Sequence, residues 1–290
     1  MKRILSIALA LAFVLGASAQ KTLSIEGADE VVRLWDNTTA KYSNHETRDE
    51  EWYGKNRAAM RYTSSCDLYI FKADPTKALG AAVVIFPGGG YRSVTVLTTL
   101  SKWYASQGIT AALVKYRMPN GHKEATFEDA VGAIQYLRTR TDLGVNPAKV
   151  GISGASAGGH LAAWVSNAMP DGQKPAFAIL EFPAISRTGF NATEATNRVL
   201  MGKDYCYQDA IEMSAENMVS PTTPPTLLML CDDDTVVMPV NSVIYYEKLI
   251  RYGVKASIHI YPEGGHSMNK HLEEYRGYII DWLKYINIIE

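Results

Sequence analysis

The chain has 290 residues, 47% of them hydrophobic, which is enough for one sizeable globular domain or at most two. Lysine and arginine number 29 and aspartate and glutamate 30, so the formal net charge is −1. This balance provides no electrostatic basis for binding nucleic acid or an anionic membrane. We therefore expect a neutral or weakly charged ligand and no nucleic-acid partner. The composition predicts no oligomeric state.

Residues 1–19 are typical of a cleavable secretory signal peptide. Two basic residues precede an apolar run over 4–15, and small residues at 17–19 lead to Gln20. The apolar run is too short to span a bilayer comfortably. We therefore predict a secreted or periplasmic protein whose mature chain begins near Gln20 and does not associate with a membrane.

From residue 58 onwards, short apolar segments alternate with longer segments of helical periodicity. The predicted strands cover 58–72, 82–86, 109–115, 149–153, 177–182, 226–231 and 256–261. The predicted helices cover 96–107, 126–143, 156–168, 240–252 and 272–286. This alternation indicates an α/β fold with a mostly parallel sheet and helices on both faces. We predict a single catalytic domain over 20–290.

Two segments depart from the alternation. Residues 21–57 are polar and aromatic with little periodicity, and we expect an extended lead-in that wraps around the domain. Residues 184–225 are polar, carry several turn formers and end in a proline-rich stretch. An insertion of that length is either a lid or substrate wall, or a plain surface excursion.

The three cysteines, Cys66, Cys206 and Cys231, allow at most one disulfide within the chain. Cys231 ends an apolar run, which predicts a buried free thiol. The sequence contains no metal-ligand spacing, and we expect neither a metal nor a cofactor.

The segment Gly154-Ala155-Ser156-Ala157-Gly158 matches the nucleophile-elbow pattern G-x-S-x-G. The five letters alone also fit a glycine-rich helix start without chemistry. Here, however, they follow a predicted strand and precede a predicted helix, which is the setting that the elbow requires. The sequence therefore predicts Ser156 as a nucleophile.

A nucleophilic serine needs a base, because an unaided hydroxyl is a poor nucleophile at neutral pH. In the chain order Ser, Asp or Glu, His, the base follows the last strand of the sheet. His266 meets this requirement. His259 lies inside the predicted strand, His271 belongs to the next helix, and we expect His160 to be a packing or hydrogen-bonding residue.

The carboxylate that orients the base should follow the preceding strand, which runs directly into Asp232, Asp233 and Asp234. All three are candidates. We favour Asp234, with the other two as turn and cap residues.

An oxyanion loop should follow the early strand over 82–86, where Pro87-Gly88-Gly89-Gly90-Tyr91 is found. Backbone N–H groups in a loop without side chains can approach a developing negative charge closely. We predict the N–H groups of Gly89, Gly90 and Ala157 as donors, with Tyr91 as a possible substitute. Taken together, these residues predict a serine acyl hydrolase.

Five motifs in this order resemble the acetylxylan-esterase-like carbohydrate esterases, which are secreted α/β hydrolases. The motifs are Pro87–Tyr91, Lys115–His122, Gly154–His160, Asp232–Ser242 and Ile260–His266. The resemblance runs from about Ser43 to the C-terminus. It implies a triad of Ser156, Asp234 and His266 and an acetyl or similar small ester on a sugar chain as substrate.

The same resemblance supports Asp234, since the family's carboxylate precedes a Val-Val-x-Pro-x-Asn-Ser run, found here from Val236 to Ser242. The chain departs from the family at Met238, where proline is expected, and at Ser267-Met268, where Gly-Trp is expected.

Three other functions are compatible with the same residues. A feruloyl or general short-chain esterase differs in the size of its pocket. A serine peptidase of the same fold usually carries a large extra domain, which we do not expect here. A non-catalytic carbohydrate-binding homologue should have lost Ser156, His266 or the oxyanion glycines, and all are present.

Overall fold

A computed structural model describes residues 23–189, 192 and 194–290. The predicted signal peptide lies outside these residues and stays a prediction. Among the described residues, no helix is long and apolar enough to cross a membrane.

Eight strands of the described chain form the main sheet, in the order β1-β4-β7-β5-β8-β9-β10-β11. All neighbouring pairs from β7 to β11 are parallel, and β4 runs antiparallel to both β1 and β7. Their bounds are Glu30–Asp36 (β1), Ser65–Phe71 (β4), Ala82–Phe86 (β5), Thr110–Lys115 (β7), Val150–Ala155 (β8), Ala178–Glu181 (β9), Thr226–Cys231 (β10) and Ala256–Tyr261 (β11).

A small antiparallel sheet lies beside the main one. It consists of β2 (Glu51–Tyr53), β3 (Ala59–Arg61) and β6 (Ser93–Thr95), with β3 in the centre. Because β6 follows the Pro87–Tyr91 loop directly, this sheet holds one end of that loop in place.

The helices cover both faces of the main sheet. Their bounds are Thr98–Ser106 (α1), Lys123–Thr139 (α2), Ala157–Ala168 (α3), Glu194–Met201 (α4), Tyr207–Glu212 (α5), Val240–Arg251 (α6) and Leu272–Tyr285 (α7). Side chains of α2, α3 and α6 form a core with one face of the sheet, and those of α1 and α7 form a second core with the other face. The predicted α/β architecture is therefore confirmed.

The prediction for residues 21–57 is wrong in part, since β1 is a full strand of the main sheet. Arg33 in β1 pairs with Asp67 of β4 at 2.8 Å. A bulge between Arg33 and Trp35 shifts the register with β4. The bulge breaks the two-residue alternation from which a strand is recognised, which explains why the pattern was not apparent.

The insertion over 184–225 contains α4, α5 and a short 3₁₀ turn at Ala215–Asn217. Leu200 and Met213 from this segment are buried in the same core as α2 and α3. Part of the insertion is thus anchored to the body of the domain rather than extended over its surface.

The motif Lys115–His122 carries buried charges that fix the end of β7. Lys115 forms ion pairs with Glu50 and with Asp67, the latter at 2.7 Å. Arg117 is fully buried and pairs with Asp129 of α2 at 2.7 Å. The motif therefore acts as an anchor between the sheet, α2 and the N-terminal segment.

The three cysteines are free thiols. Cys66 and Cys231 are buried, whereas Cys206 is exposed. The prediction of a buried free thiol at Cys231 is confirmed.

Candidate active site

Ser156 lies between the end of β8 and the start of α3, as the elbow pattern predicts. Its backbone has φ 55° and ψ −120°, which is rare for a residue with a side chain. Its N–H donates to the Glu181 carbonyl at 3.0 Å, and its own carbonyl accepts from the N–H groups of His160 and Ala184, each at 3.0 Å. These three bonds hold the strained turn, which projects the hydroxyl from the carboxyl edge of the sheet.

The structure brings Ser156, His266 and Asp234 together in one chain of hydrogen bonds. His266 Nε2 lies 2.9 Å from Ser156 Oγ, and His266 Nδ1 lies 2.7 Å from Asp234 Oδ2. A neutral imidazole that donates from Nδ1 to the carboxylate has a lone pair on Nε2. In this arrangement His266 can accept the Ser156 proton, and Asp234 can stabilise the resulting imidazolium.

The three adjacent aspartates differ in their burial and in their hydrogen-bond partners. Asp234 is buried, and its Oδ1 accepts from the N–H groups of Val236 and Val237 at 2.8 and 3.0 Å. Asp232 and Asp233 are exposed. Asp233 instead accepts the Gly265 N–H at 2.6 Å, which fixes the loop that carries the histidine.

Gly89 and Gly90 lie in the loop opposite Ser156. Gly89 has φ 132°, and a Cβ atom there would lie only 2.1 Å from the Ser93 carbonyl oxygen, so the loop requires glycine at this position. Ala157 is the first residue of α3, where an N–H has no acceptor within the helix. Gly89 and Gly90 line the same cavity as Ser156.

Tyr91 and His160 are buried and hydrogen-bonded to each other. The Tyr91 hydroxyl donates to His160 Nδ1 at 2.7 Å, and His160 Nε2 donates to the Met213 carbonyl at 2.7 Å. Burial lowers the pKa of His160 well below its usual range. The prediction that His160 is a packing and hydrogen-bonding residue is confirmed.

A cavity of about 640 Å³ opens beside Ser156, between α1 and α7. Its apolar wall is formed by Leu97, Leu100, Phe182, Met268 and Leu272. No described residue of the 184–225 insertion lines it. Within the described chain, no group of three or more His, Cys, Asp or Glu side chains is placed to hold a metal ion.

Among the described residues that line this cavity, Glu181 alone carries a carboxylate, and sequence reasoning did not single it out. It pairs with Ala155 in the sheet, and its Oε1 accepts from the Tyr275 hydroxyl at 2.7 Å. Burial raises the pKa of Glu181 to about 7, although the hydrogen bond from Tyr275 opposes the shift. The one signal in the sequence was a glutamate at the end of an otherwise apolar strand.

The raised pKa of Glu181 predicts a pH-dependent stability. The folded state holds the proton more tightly than the unfolded state, so the stabilisation is complete below the unfolded pKa of 4.5 and is lost as pH rises through about 7. Between about pH 5 and about pH 8, the free energy of unfolding should fall by about 2–3 kcal/mol more in the wild type than in Glu181→Gln. Urea unfolding measures this, with the exposed Glu124→Gln as control. Equal pH slopes in wild type and Glu181→Gln would contradict the assignment.

Comparisons with known proteins identify the family and the fold of the chain. The chain is 32% identical over 226 residues to an acetylxylan esterase from Xylanibacter ruminicola, an alignment that covers 73% of this chain and 47% of that protein. The chain thus spans about half the length of this curated relative. An acetyl ester-xyloside bifunctional hydrolase from Caldicellulosiruptor lactoaceticus superposes with a TM-score of 0.72 at 30% identity, covering 78% of this chain and 90% of the other.

A carboxylesterase from Lactobacillus plantarum has the same fold, with a TM-score of 0.67 at 20% identity over 84% of this chain and 99% of the other. The sequence profile of the prolyl oligopeptidase family matches residues 116–286, more than half of the chain. This segment carries Ser156, Asp234 and His266. The chain has the α/β-hydrolase fold and belongs to the prolyl oligopeptidase family.

Proposed function

We propose that the protein is a serine esterase that removes acetyl or similar small acyl groups from a plant polysaccharide such as xylan. The observation that carries the proposal is the 2.9 Å contact between Ser156 Oγ and His266 Nε2 in the wall of a cavity that Gly89 and Gly90 also line. The acetylxylan esterase and the acetyl ester-xyloside hydrolase to which the chain is similar support the choice of substrate.

In the first half of the reaction, Ser156 Oγ attacks the ester carbonyl carbon while His266 Nε2 takes the hydroxyl proton. The carbonyl oxygen becomes an oxyanion, which the N–H groups of Gly89, Gly90 and Ala157 stabilise. The carbon–oxygen bond to the sugar then breaks. The sugar oxygen takes the proton from His266 and leaves, and the acyl group stays on Ser156.

In the second half, a water molecule attacks the acyl-enzyme and gives a proton to His266. The tetrahedral intermediate forms in the same oxyanion site. It collapses with release of the free acid, and the proton returns from His266 to Ser156 Oγ. The buried Asp234 carboxylate stabilises the imidazolium in both halves.

A second candidate is an esterase for a larger acyl group, such as a feruloyl group. The size of the cavity favours it, because about 640 Å³ with a largely apolar wall exceeds the space that an acetyl group fills. The two candidates share Ser156 and its partners and differ only in what fills the cavity.

The proposal predicts acetate release from acetylated xylo-oligosaccharides and from p-nitrophenyl acetate, with both activities lost in Ser156→Ala. Removal of the nucleophile should lower the turnover number by about 10⁶-fold. Acetate assays on the two substrates, with methyl ferulate and a proline p-nitroanilide alongside, measure this.

The four substrates separate the alternatives. Activity on methyl ferulate that exceeds acetate release would favour the larger acyl group, and cleavage of the anilide would favour a peptidase. Binding of oligosaccharide without cleavage of any of the four would support a non-catalytic carbohydrate-binding protein and contradict the proposal.

The carboxylate assignment gives a separate prediction. Asp234→Asn should lower the turnover number by about 10⁴-fold, because the amide no longer holds the required tautomer of His266. Asp232→Asn is the matched control and should cost far less, since Asp232 is exposed. Asp233→Asn should fall between the two through its bond to Gly265. Kinetics on p-nitrophenyl acetate measure all three, and equal losses would defeat the assignment.

A further inference from the structure

A second concave surface lies beside the site already described. It has a volume of about 340 Å³. We call it the arginine–tyrosine cleft after six residues of its wall: Arg48, Tyr53, Arg61, Tyr62, Tyr91 and Arg92. Nothing in the proposed reaction uses these side chains.

The cleft and the cavity beside Ser156 lie on either side of one stretch of chain. Gly88–Gly90 and Thr95–Leu97 line the cavity, whereas the intervening Tyr91–Ser93 line the cleft. Since consecutive Cα atoms are 3.8 Å apart, the Cα of Arg92 lies within about 8 Å of that of Gly90. Ser93 also pairs with Arg61 in the small sheet, which fixes the cleft relative to the oxyanion loop.

The charges of the cleft are not balanced. Arg48 makes two bonds to Glu46, at 2.8 and 2.7 Å, and Arg61 pairs with Glu51. Arg92 is exposed and forms no salt bridge with any residue that the structure describes. One positive charge therefore remains available to a ligand.

Aromatic rings hold two of the guanidinium groups in place. The guanidinium carbon of Arg48 lies 3.8 Å from the centre of the Tyr62 ring, and that of Arg61 lies 4.8 Å from the centres of the Tyr62 and Tyr53 rings. Contacts of this kind restrict the motion of the arginine side chains, so less side-chain conformational entropy is lost when a ligand binds. Tyr53 is 49% exposed, which leaves part of its surface free for contact with a sugar.

The backbone of the cleft is strained. Tyr62, directly after β3, has φ 58°, and Tyr91 and Asn120 in the same wall have φ 60° and 47°. An aromatic residue in this conformation is uncommon, and such strain costs about 1–3 kcal/mol per residue. Such strain persists only where the surrounding structure holds it in place, so the wall of the cleft has a fixed shape.

We propose that the arginine–tyrosine cleft binds a carboxylate-bearing sugar unit of the polysaccharide whose ester is cleaved at Ser156. A carboxylate suits the free guanidinium of Arg92, because a planar guanidinium and a carboxylate form two parallel hydrogen bonds. The inference rests on the proposed function in taking an acylated polysaccharide as the substrate. It adds that the enzyme prefers acidic chains to neutral ones.

The test measures binding without turnover. The Ser156→Ala protein is titrated calorimetrically with a xylo-oligosaccharide that carries one glucuronic acid, and with a neutral xylo-oligosaccharide of equal length. The acidic ligand should bind about tenfold more tightly, and the preference should shrink in high salt. Adding Arg92→Gln should abolish the preference, whereas the control Arg251→Gln, on the distant α6, should retain it.

Three results would overturn the cleft as an acidic-sugar site. These are equal affinity for the two oligosaccharides, no measurable binding of either, and a preference that persists in Arg92→Gln. Free glucuronate that binds as tightly as the acidic oligosaccharide would reduce the cleft to a general anion site and also overturn the inference. Wild-type protein that releases no acetate would count against the proposed function, independently of the binding result.

Discussion

The conformation of Ser156 is the constraint on which the rest of the site depends. At φ 55° the chain turns sharply from β8 into α3, and the hydroxyl projects from the edge of the sheet. The close approach of α3 to the end of β5 requires glycine at position 158, since a Cβ atom there would lie 2.0 Å from the Phe86 carbonyl oxygen. Phe86 ends β5 and precedes the Gly88–Gly90 loop. This close contact therefore helps to position Ser156 and the Gly88–Gly90 loop relative to each other.

The parallel sheet brings the remaining groups to the same edge. Asp234 follows β10 and His266 follows β11, and the two strands are adjacent and in register from Thr226 to Cys231. Two of the neighbouring aspartates make different contacts in the same region. Asp234 hydrogen-bonds to the His266 imidazole, and Asp233 accepts a hydrogen bond from the Gly265 N–H in the loop that carries the histidine. The 184–225 insertion supplies the Ala184 N–H that bonds to the Ser156 carbonyl and places Val199 in the wall of the arginine–tyrosine cleft, whereas none of its described residues lines the cavity beside Ser156.

Much of this arrangement follows from the sequence. The predicted strands over 82–86, 226–231 and 256–261 match the structure residue for residue, because each is short, mainly apolar and bounded by turn formers. Glu181 could not be assigned in this way, since its position in the cavity wall depends on the orientation of α7, which supplies Tyr275. The arginine–tyrosine cleft could not be predicted from the sequence either. The strands β2, β3 and β6 that carry it have three residues each, which is too short for a recognisable strand pattern.

The central claim is that the acyl group passes through a covalent bond to Ser156. The most direct measurement is mass spectrometry of the protein, quenched rapidly in acid during turnover of an acetylated xylo-oligosaccharide and then digested. The account predicts an acetyl group on the peptide that contains Ser156, absent from protein quenched without substrate. Release of acetate with no adduct on that peptide, or with an adduct on another residue, would contradict it.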